Sequence, residues 1–331
     1  MTNKRTPVFV VGNFVQACCW FVPRIPLAGE TLNATGVQIE AGGKGLNVAI
    51  ALNRLGLDVK TLIAYGNDSA GKVLLDLFIK EKISCKTLFQ FDTASGWGSG
   101  WIAQDGQNAI AVSLGANLLL NQSHVEQCRT SIEQAKLVYG QFETSLEAVE
   151  ASFKIATLKN IPTILNPSPW QEPTLGIQQN TKIMIANEVE AQFLLGLLEP
   201  LTNEIDSITT TIQAKLANLW HKWSKLDLLI VTLGALGCIA FTRPNNTFDS
   251  ASVLYNPGLS IKAVDTVGAG DGFASGFCLA LLQQFNLEDC LKWGNALGAH
   301  MASHVGVLHV LPYSHQLEQI LQNPTILQHN S

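Results

Sequence analysis

The segment Asp265-Thr266-Val267-Gly268-Ala269-Gly270-Asp271-Gly272-Phe273-Ala274-Ser275-Gly276-Phe277 places a carboxylate, Asp271, among residues with almost no side chain. Small residues let backbone N–H groups approach a ligand with no Cβ in the way. The first turn of a helix has unpaired N–H groups and a partial positive charge, which suit an anion. Asp271 in that turn would lie beside the anion. Phosphoryl transfer to an alcohol requires this pair: donors for the moving charge and a base for the attacking hydroxyl. The plainer reading is a tight strand-to-helix turn in which Asp271 is only an N-terminal helix charge. No Gly-Lys-Ser/Thr follows, so the segment is not a P-loop. Gly276 falls one residue too far for the dinucleotide fingerprint.

A second glycine-rich turn opens Ala41-Gly42-Gly43-Lys44-Gly45-Leu46-Asn47-Val48-Ala49-Ile50-Ala51-Leu52-Asn53-Arg54-Leu55-Gly56. It reads as a turn into an amphipathic helix, closed by Gly56 at C′. Lys44 and Asn47 lie at the helix start, where polar side chains can point at a ligand. Taken alone, it is equally compatible with an ordinary helix start.

Something must hold these turns. Short apolar runs at 8–11, 61–65, 137–140, 163–165, 183–185 and 228–232 read as strands. Helical patterns at 44–55, 70–82, 145–158, 188–196 and 205–223 fall between them. The first turn described is expected to link a strand at 259–264 to a helix at 273–285. Such alternation predicts βαβ units and a mostly parallel, three-layer sheet. Ligands in these sheets bind at the carboxyl ends of the strands. Two regions break the pattern, 14–40 and 94–111, the latter with Trp97-Gly98-Ser99-Gly100-Trp101. They read as extended strands outside the main layer, or as long surface loops. The expected organisation is a core of 1–13, 41–93 and 112–331 with 14–40 and 94–111 apart from it. The tail after Pro324 is expected to fray.

The 331 residues carry only 14% charged side chains and a net charge of −5. No basic stripe is present, which argues against nucleic-acid binding. Phosphates would have to be held by backbone dipoles and metal more than by Lys/Arg clusters. The seven cysteines show no C-x-x-C and no spacing pattern. They read as free thiols in a reducing compartment, so a cytoplasmic location is expected. Val15-Gln16-Ala17-Cys18 faintly resembles a lipoprotein cleavage site, but the apolar run before it is broken by Gly12 and Asn13 and is too short for an h-region. No apolar run reaches membrane-spanning length.

The two glycine-rich segments, in this order and at this separation, resemble the two signatures of the PfkB carbohydrate kinase family, with its ribokinase-like fold. The resemblance runs from Val8 to about Pro312. Intermediate stretches are similar to the ribokinase branch: Leu27-Ala28-Gly29-Glu30-Thr31, Gly115-Ala116-Asn117, Gln141-Phe142-Glu143, Leu165-Asn166-Pro167-Ser168-Pro169, Asn187-Glu188-Val189-Glu190, and Val231-Thr232-Leu233-Gly234 with Gly237. The resemblance implies a three-layer α/β/α core with a small β-sheet lid formed by 14–40 and 94–111. It implies an ATP-dependent kinase that moves the γ-phosphoryl of Mg-ATP to a hydroxyl of a pentose- or hexose-type sugar. A nucleoside kinase of the same fold and a non-catalytic sugar or nucleotide sensor are the alternatives. A homodimer through the lid is the expected assembly.

The resemblance also implies roles. Asp271 would be the base, with the amides of Gly268, Ala269 and Gly270 facing the γ-phosphoryl oxygens. Asn13, Gly43, Lys44, Asn47 and Glu143 would line the sugar side. Asn187, Thr232, Gly234, Gly237 and Asn295 would line the nucleotide side. Glu190 would hold Mg²⁺ through water, which suits an ion that sheds its hydration reluctantly. Asn187 and Glu190 also have the spacing of a plain capping box. Asp265, Val267 and Gly306 would form a monovalent-cation loop favouring K⁺. His300 and His304, four apart, read as helix residues beside the nucleotide rather than as metal ligands. One departure stands out. Family members usually carry an Asp, and often an Asn, shortly after the first strand to grip sugar hydroxyls. An ungapped match from Gly12 to Gly29 puts Val15 and Ala17 there, so the family's usual carboxylate grip on ribose is missing. The lid region is instead rich in aromatics: Phe14, Trp20, Phe21, Trp97 and Trp101. They suit a lid-to-lid contact or stacking on a less polar substrate.

Overall fold

The computed structural model describes residues 5–105, 107–244, 248 and 252–322. The tail after Pro324 lies outside them. Thirteen strands are present among the described residues: β1 (Pro7–Val11), β2 (Val15–Val22), β3 (Gly36–Gly42), β4 (Asp58–Gly66), β5 (Leu88–Phe91), β6 (Gly96–Ala103), β7 (Asn108–Ser113), β8 (Val138–Gln141), β9 (Thr163–Asn166), β10 (Ile183–Asn187), β11 (Leu228–Thr232), β12 (Gly237–Thr242) and β13 (Val253–Pro257). The helices are α1 (Lys44–Arg54), α2 (Ser69–Lys80), α3 (Gln122–Gln127), α4 (Arg129–Gln134), α5 (Leu146–Leu158), α6 (Leu175–Asn180), α7 (Glu188–Leu195), α8 (Ile205–Lys222), α9 (Ala269–Leu282), α10 (Leu287–Ala302) and α11 (Ser314–Gln322).

Nine strands form one sheet in the order β13-β12-β11-β10-β9-β8-β1-β4-β5. It is parallel from β11 to β5, and β12 and β13 add antiparallel at one edge. The strand sequences explain why it is buried on both faces. In β1, Val8 and Val10 join one apolar cluster while Phe9 and Val11 join the other. A strand apolar on both sides needs helices above and below it. The first cluster packs α1, α9, α10 and α11 on one face, and the second packs α5 and α8 on the other. This is the three-layer α/β/α arrangement.

Four further strands form a separate sheet in the order β3-β2-β6-β7. The pairs β2·β3 and β6·β7 are antiparallel, and β2·β6 is parallel. Together with the nine-stranded core, this gives the ribokinase-like architecture. Within 14–40, residues 23–35 are not strand, and β7 runs past 111 to Ser113.

Two expectations need correction. No strand forms at 259–264. Pro257-Gly258 ends β13, and the amides of Val264 and Asp265 bond the Ala302 carbonyl at the end of α10 instead of a neighbouring strand (2.8 and 3.3 Å). The helix carrying Asp271 starts at Ala269, four residues before the expected 273, because Gly268 caps it at φ 79°. That left-handed backbone is one that glycine adopts without a Cβ penalty.

Candidate active site

The site assembles where β1 ends, α1 begins and α9 begins. The chain leaves β1 at Val11, and Asn13 is fully buried just beyond it. Gly43 caps α1 at φ 117°, and a Cβ there would press on the Asn13 side chain. Glycine thus lets the two turns touch. Asn13 sits at the centre of a polar network. Its Oδ1 accepts from the Gly45 amide (2.9 Å) and from Gln141 Nε2 (3.1 Å). Its Nδ2 donates to Glu143 Oε2 (2.8 Å), which also accepts from the Lys44 amide (3.1 Å). The Glu143 amide in turn makes a short bond to Gln141 Oε1. Asn13, Gly43, Lys44 and Glu143 therefore share one wall, although 130 residues separate Asn13 from Glu143.

The opposite wall is the start of α9. Asp271 is 7% exposed and accepts a hydrogen bond from Asn47 Nδ2 at 2.7 Å. The Asn47 Oδ1 is buried without a partner. A buried acceptor left unpaired costs roughly 1–3 kcal/mol, so this one is a mark of an expected ligand donor. The Ala269 amide turns back to the Thr266 carbonyl (3.2 Å), and Gly272 bonds Gly268 (2.9 Å). Ala269 is thus not an open donor. Among the described residues nothing accepts from the amides of Gly270 and Asp271, and no side chain caps the helix. Beside Gly270 there is open space.

The electrostatics join the two walls. Burial pushes the Asp271 carboxyl up to about 6, against the pull of Lys44 and the Asn47 bond; Glu143 and Glu190 add to the rise. Burial works to lower the Lys44 ammonium, but Asp271, Glu143 and Glu190 outweigh it and hold it above its ordinary value. Tyr139 on β8 belongs here too, and sequence reasoning missed it. Its hydroxyl is fully buried, has no partner, and is pushed well up by burial and then by Asp271. An aromatic inside an apolar strand gives no signal that its hydroxyl lies buried within the field of Asp271.

The remaining candidates lie along the carboxyl ends of β10 and β11. Asn187 pairs in register with Thr232. Asn187 caps α7 and exchanges three hydrogen bonds with Glu190, at 2.8–2.9 Å. The capping box is therefore real, and Glu190 is 4% exposed with its charge felt at Lys44 and Asp271. Gly234 and Gly237 bound the short turn after β11. Asn295 on α10 donates to the Asn256 side chain (2.7 Å), fixing α10 against β13 beside that turn. Asp265 accepts from the amides of Val267 and Gly306, both at 3.0 Å, and so ties the α9 turn to the loop after α10. His300 bonds the Val310 carbonyl (3.0 Å), while His304 lies beyond the end of α10 rather than within it. Among the described residues no group of three or more His, Cys, Asp or Glu is placed to hold a metal. Nor is any described helix long and apolar enough to cross a membrane.

The family described as pfkB family carbohydrate kinase matches residues 5–313, and the chain belongs to it. It is a carbohydrate kinase with an alcohol group as acceptor, on the ribokinase branch. It is 29% identical over 323 residues to a ribokinase of Haemophilus influenzae, covering 96% of this chain and 99% of that protein. It is 31% identical over 320 residues to a ribokinase of Mus musculus, covering 95% and 94%. A solved Arabidopsis thaliana ribokinase complexed with ribose and ATP shares the fold at a TM-score of 0.81 and 23% identity, covering 96% of this chain and 99% of that one.

Proposed function

We propose that this kinase transfers the γ-phosphoryl of ATP to a hydroxyl of a pentose- or hexose-type sugar, with Asp271 as the base. The observation that carries the reading is the buried Asp271 carboxylate, held by Asn47 at 2.7 Å beside two open helix amides. The acceptor oxygen attacks Pγ, an O–P bond forms, and the bond from Pγ to the β-phosphate oxygen breaks. The hydroxyl proton passes to Asp271, and ADP leaves. Gly270 and Asp271 amides, with Gly268 shaping the turn, stabilise charge on the transferring group; one such donor is worth about 2.7–4 kcal/mol of barrier. Lys44, Asn13 and Glu143 orient the sugar, and the orphan Asn47 Oδ1 accepts from one of its hydroxyls. Asn187, Thr232, Gly234, Gly237 and Asn295 hold the nucleotide.

Glu190 fits Mg²⁺: it is a single buried carboxylate with no cation against it among the salt-bridged described residues, and Mg²⁺ keeps waters and phosphate oxygens as its other ligands. When bound, Mg²⁺ would neutralise phosphate charge. Asp265 retains lone pairs beyond the two amides it accepts, so its loop with Val267 and Gly306 fits a monovalent cation such as K⁺. Residues 14–40 and 94–111 act as a lid that excludes water. The experiment is ADP release from Mg·ATP across a broad panel of sugars, run in K⁺ and in Na⁺. Acceptor-dependent ADP release, faster in K⁺, is expected. No acceptor-dependent release would favour the sensor, and equal rates in both salts would remove the K⁺ site.

The lid's outer face carries Trp20, Val37, Ile39 and Trp97, exposed at 39, 50, 61 and 42%. Register puts them on one side of the sheet. This supports a homodimer through the lid. Sedimentation should give twice the chain mass, and Trp20→Glu should halve it; a wild-type monomer at micromolar concentration would refute the pairing. The seven free cysteines support a cytoplasmic location.

A further inference from the structure

A cavity of about 760 Å³ opens at the amino ends of the core strands. Thr6 lines it just before β1, Lys136 before β8, Thr163 at the start of β9 and Lys182 before β10. Leu281, Leu282 and Phe285, at the end of α9 and in the turn after it, give it an apolar wall. The candidate active site lies at the other end of the same strands, with Asn13 beyond β1, Glu143 beyond β8 and Asn187 closing β10. The 14 residues of α9 cover about 21 Å from the Asp271 turn to this cavity. None of the residues assigned above to the acceptor, the nucleotide or a cation lines it.

The charge of this cavity runs against that of the chain. The protein carries a net charge of −5, yet the described residues of the lining include Lys136, Lys182 and Lys225 and no Asp or Glu. Lys182 is matched by Asp227 at 2.8 Å. Lys136 and Lys225 are exposed and form no ion pair among the described residues. The carbonyl ends of α5 and α9 point here, and neither helix has a basic residue of its own in its last turn. Lysines supplied from the strand starts can offset such ends. That role does not explain the apolar wall beside them, where Phe285 stays 40% exposed. An inorganic anion would satisfy the ammonium groups and leave the wall wet. An uncharged apolar molecule would cover the wall and leave the ammonium groups unmatched. The size of the cavity suits a small organic molecule that does both.

We infer that this cavity is a second ligand site, for a small organic anion: a carboxylate or phosphate group held by Lys136, Lys182 and Lys225, on an apolar body laid against Leu281 and Phe285. It is separate from the nucleotide site and fills while nucleotide is bound.

The test is a fluorescence titration of the full chain with anilinonaphthalene sulfonate, an apolar body with one anionic group, with and without Mg·ADP. Saturable micromolar binding that Mg·ADP leaves unchanged is expected. Lys136→Ala/Lys225→Ala should weaken it at least tenfold. Lys136→Arg/Lys225→Arg, which keeps both charges, should retain it. Benzoate and phenyl phosphate should displace the dye, and the one that does so at lower concentration identifies the anionic group; benzyl alcohol, which lacks the charge, should not. If the alanine variant melts at a lower temperature but binds the dye as before, the lysines only offset the helix ends and the inference fails. Displacement by Mg·ADP, equal displacement by benzyl alcohol, or no saturable binding would overturn it as well. No arm of the test measures phosphoryl transfer, so its failure leaves the kinase reading standing.

Discussion

Asp271→Asn is expected to lower turnover by about 10²–10⁴ or more while ATP binding persists, because the variant keeps the shape of the site and loses the base. The same change should stabilise the fold. The Asp271 carboxyl is raised from 3.8 to about 6 by burial. The native state therefore binds its proton more tightly than the unfolded chain does. The associated stability is fully present below 3.8 and is lost as pH rises through about 6. At neutral pH the buried charge costs about 2–3 kcal/mol, because a tenfold change in proton affinity is worth about 1.4 kcal/mol, and the Asn variant escapes that cost. A higher melting temperature with lost turnover would separate a chemical role from a folding defect. In the wild type, kcat/KM should fall as pH drops below about 6, where the base becomes protonated. Near-normal turnover in the Asn variant would remove Asp271 from the base role.

Arg54→Met is expected to cost about 3–5 kcal/mol of stability, because it leaves a buried charge without its partner. The Arg54 and Glu81 side chains are only 7 and 6% exposed, and they meet at 2.6 Å. The guanidinium also donates to the Leu308 and Leu311 carbonyls (2.5 and 3.0 Å) and lies 4.8 Å from the centre of the Tyr313 ring. It thus pins the end of α1 to the loop that carries Gly306. A fall in melting temperature on the order of 10 °C should follow in thermal denaturation. The double variant Arg54→Met/Glu81→Met should recover part of the loss, since no unpaired charge is left. A loss under about 1 kcal/mol in the single variant would mean that water reaches the pair and screens it.

The sequence showed the core strands well, because β1 and β11 are continuous apolar runs that only a doubly covered sheet explains. It showed α1 and the Asp271 turn through glycines whose placement has few other uses. It misplaced a strand at 259–264, where Leu259, Ile261 and Ala263 mimic the period of a strand. The amides there are taken by the end of α10, a partner no local pattern announces. The edge strands β12 and β13 are hidden as well, since the glycines at 234 and 237 read as a loop and mask the strand that Gly237 begins. The site's hydrogen bonds were least accessible. Asn13 to Glu143, Asn47 to Asp271 and Asp265 to Gly306 span 130, 224 and 41 residues. Residue types hinted at polarity in those places, but only the sheet order decides which of them meet.

The chain departs from the three-layer core after Val11 and is back in it by α1; it departs again after β5 and returns after β7. Asp271 and its neighbours lie in neither excursion. If Asp271 is the base proposed above, drift in those two detours changes what is recruited for phosphorylation while the engine that does the phosphorylating is inherited intact. On that reading a lineage trades one client for another through a handful of codons, none of them in the turn that carries Asp271.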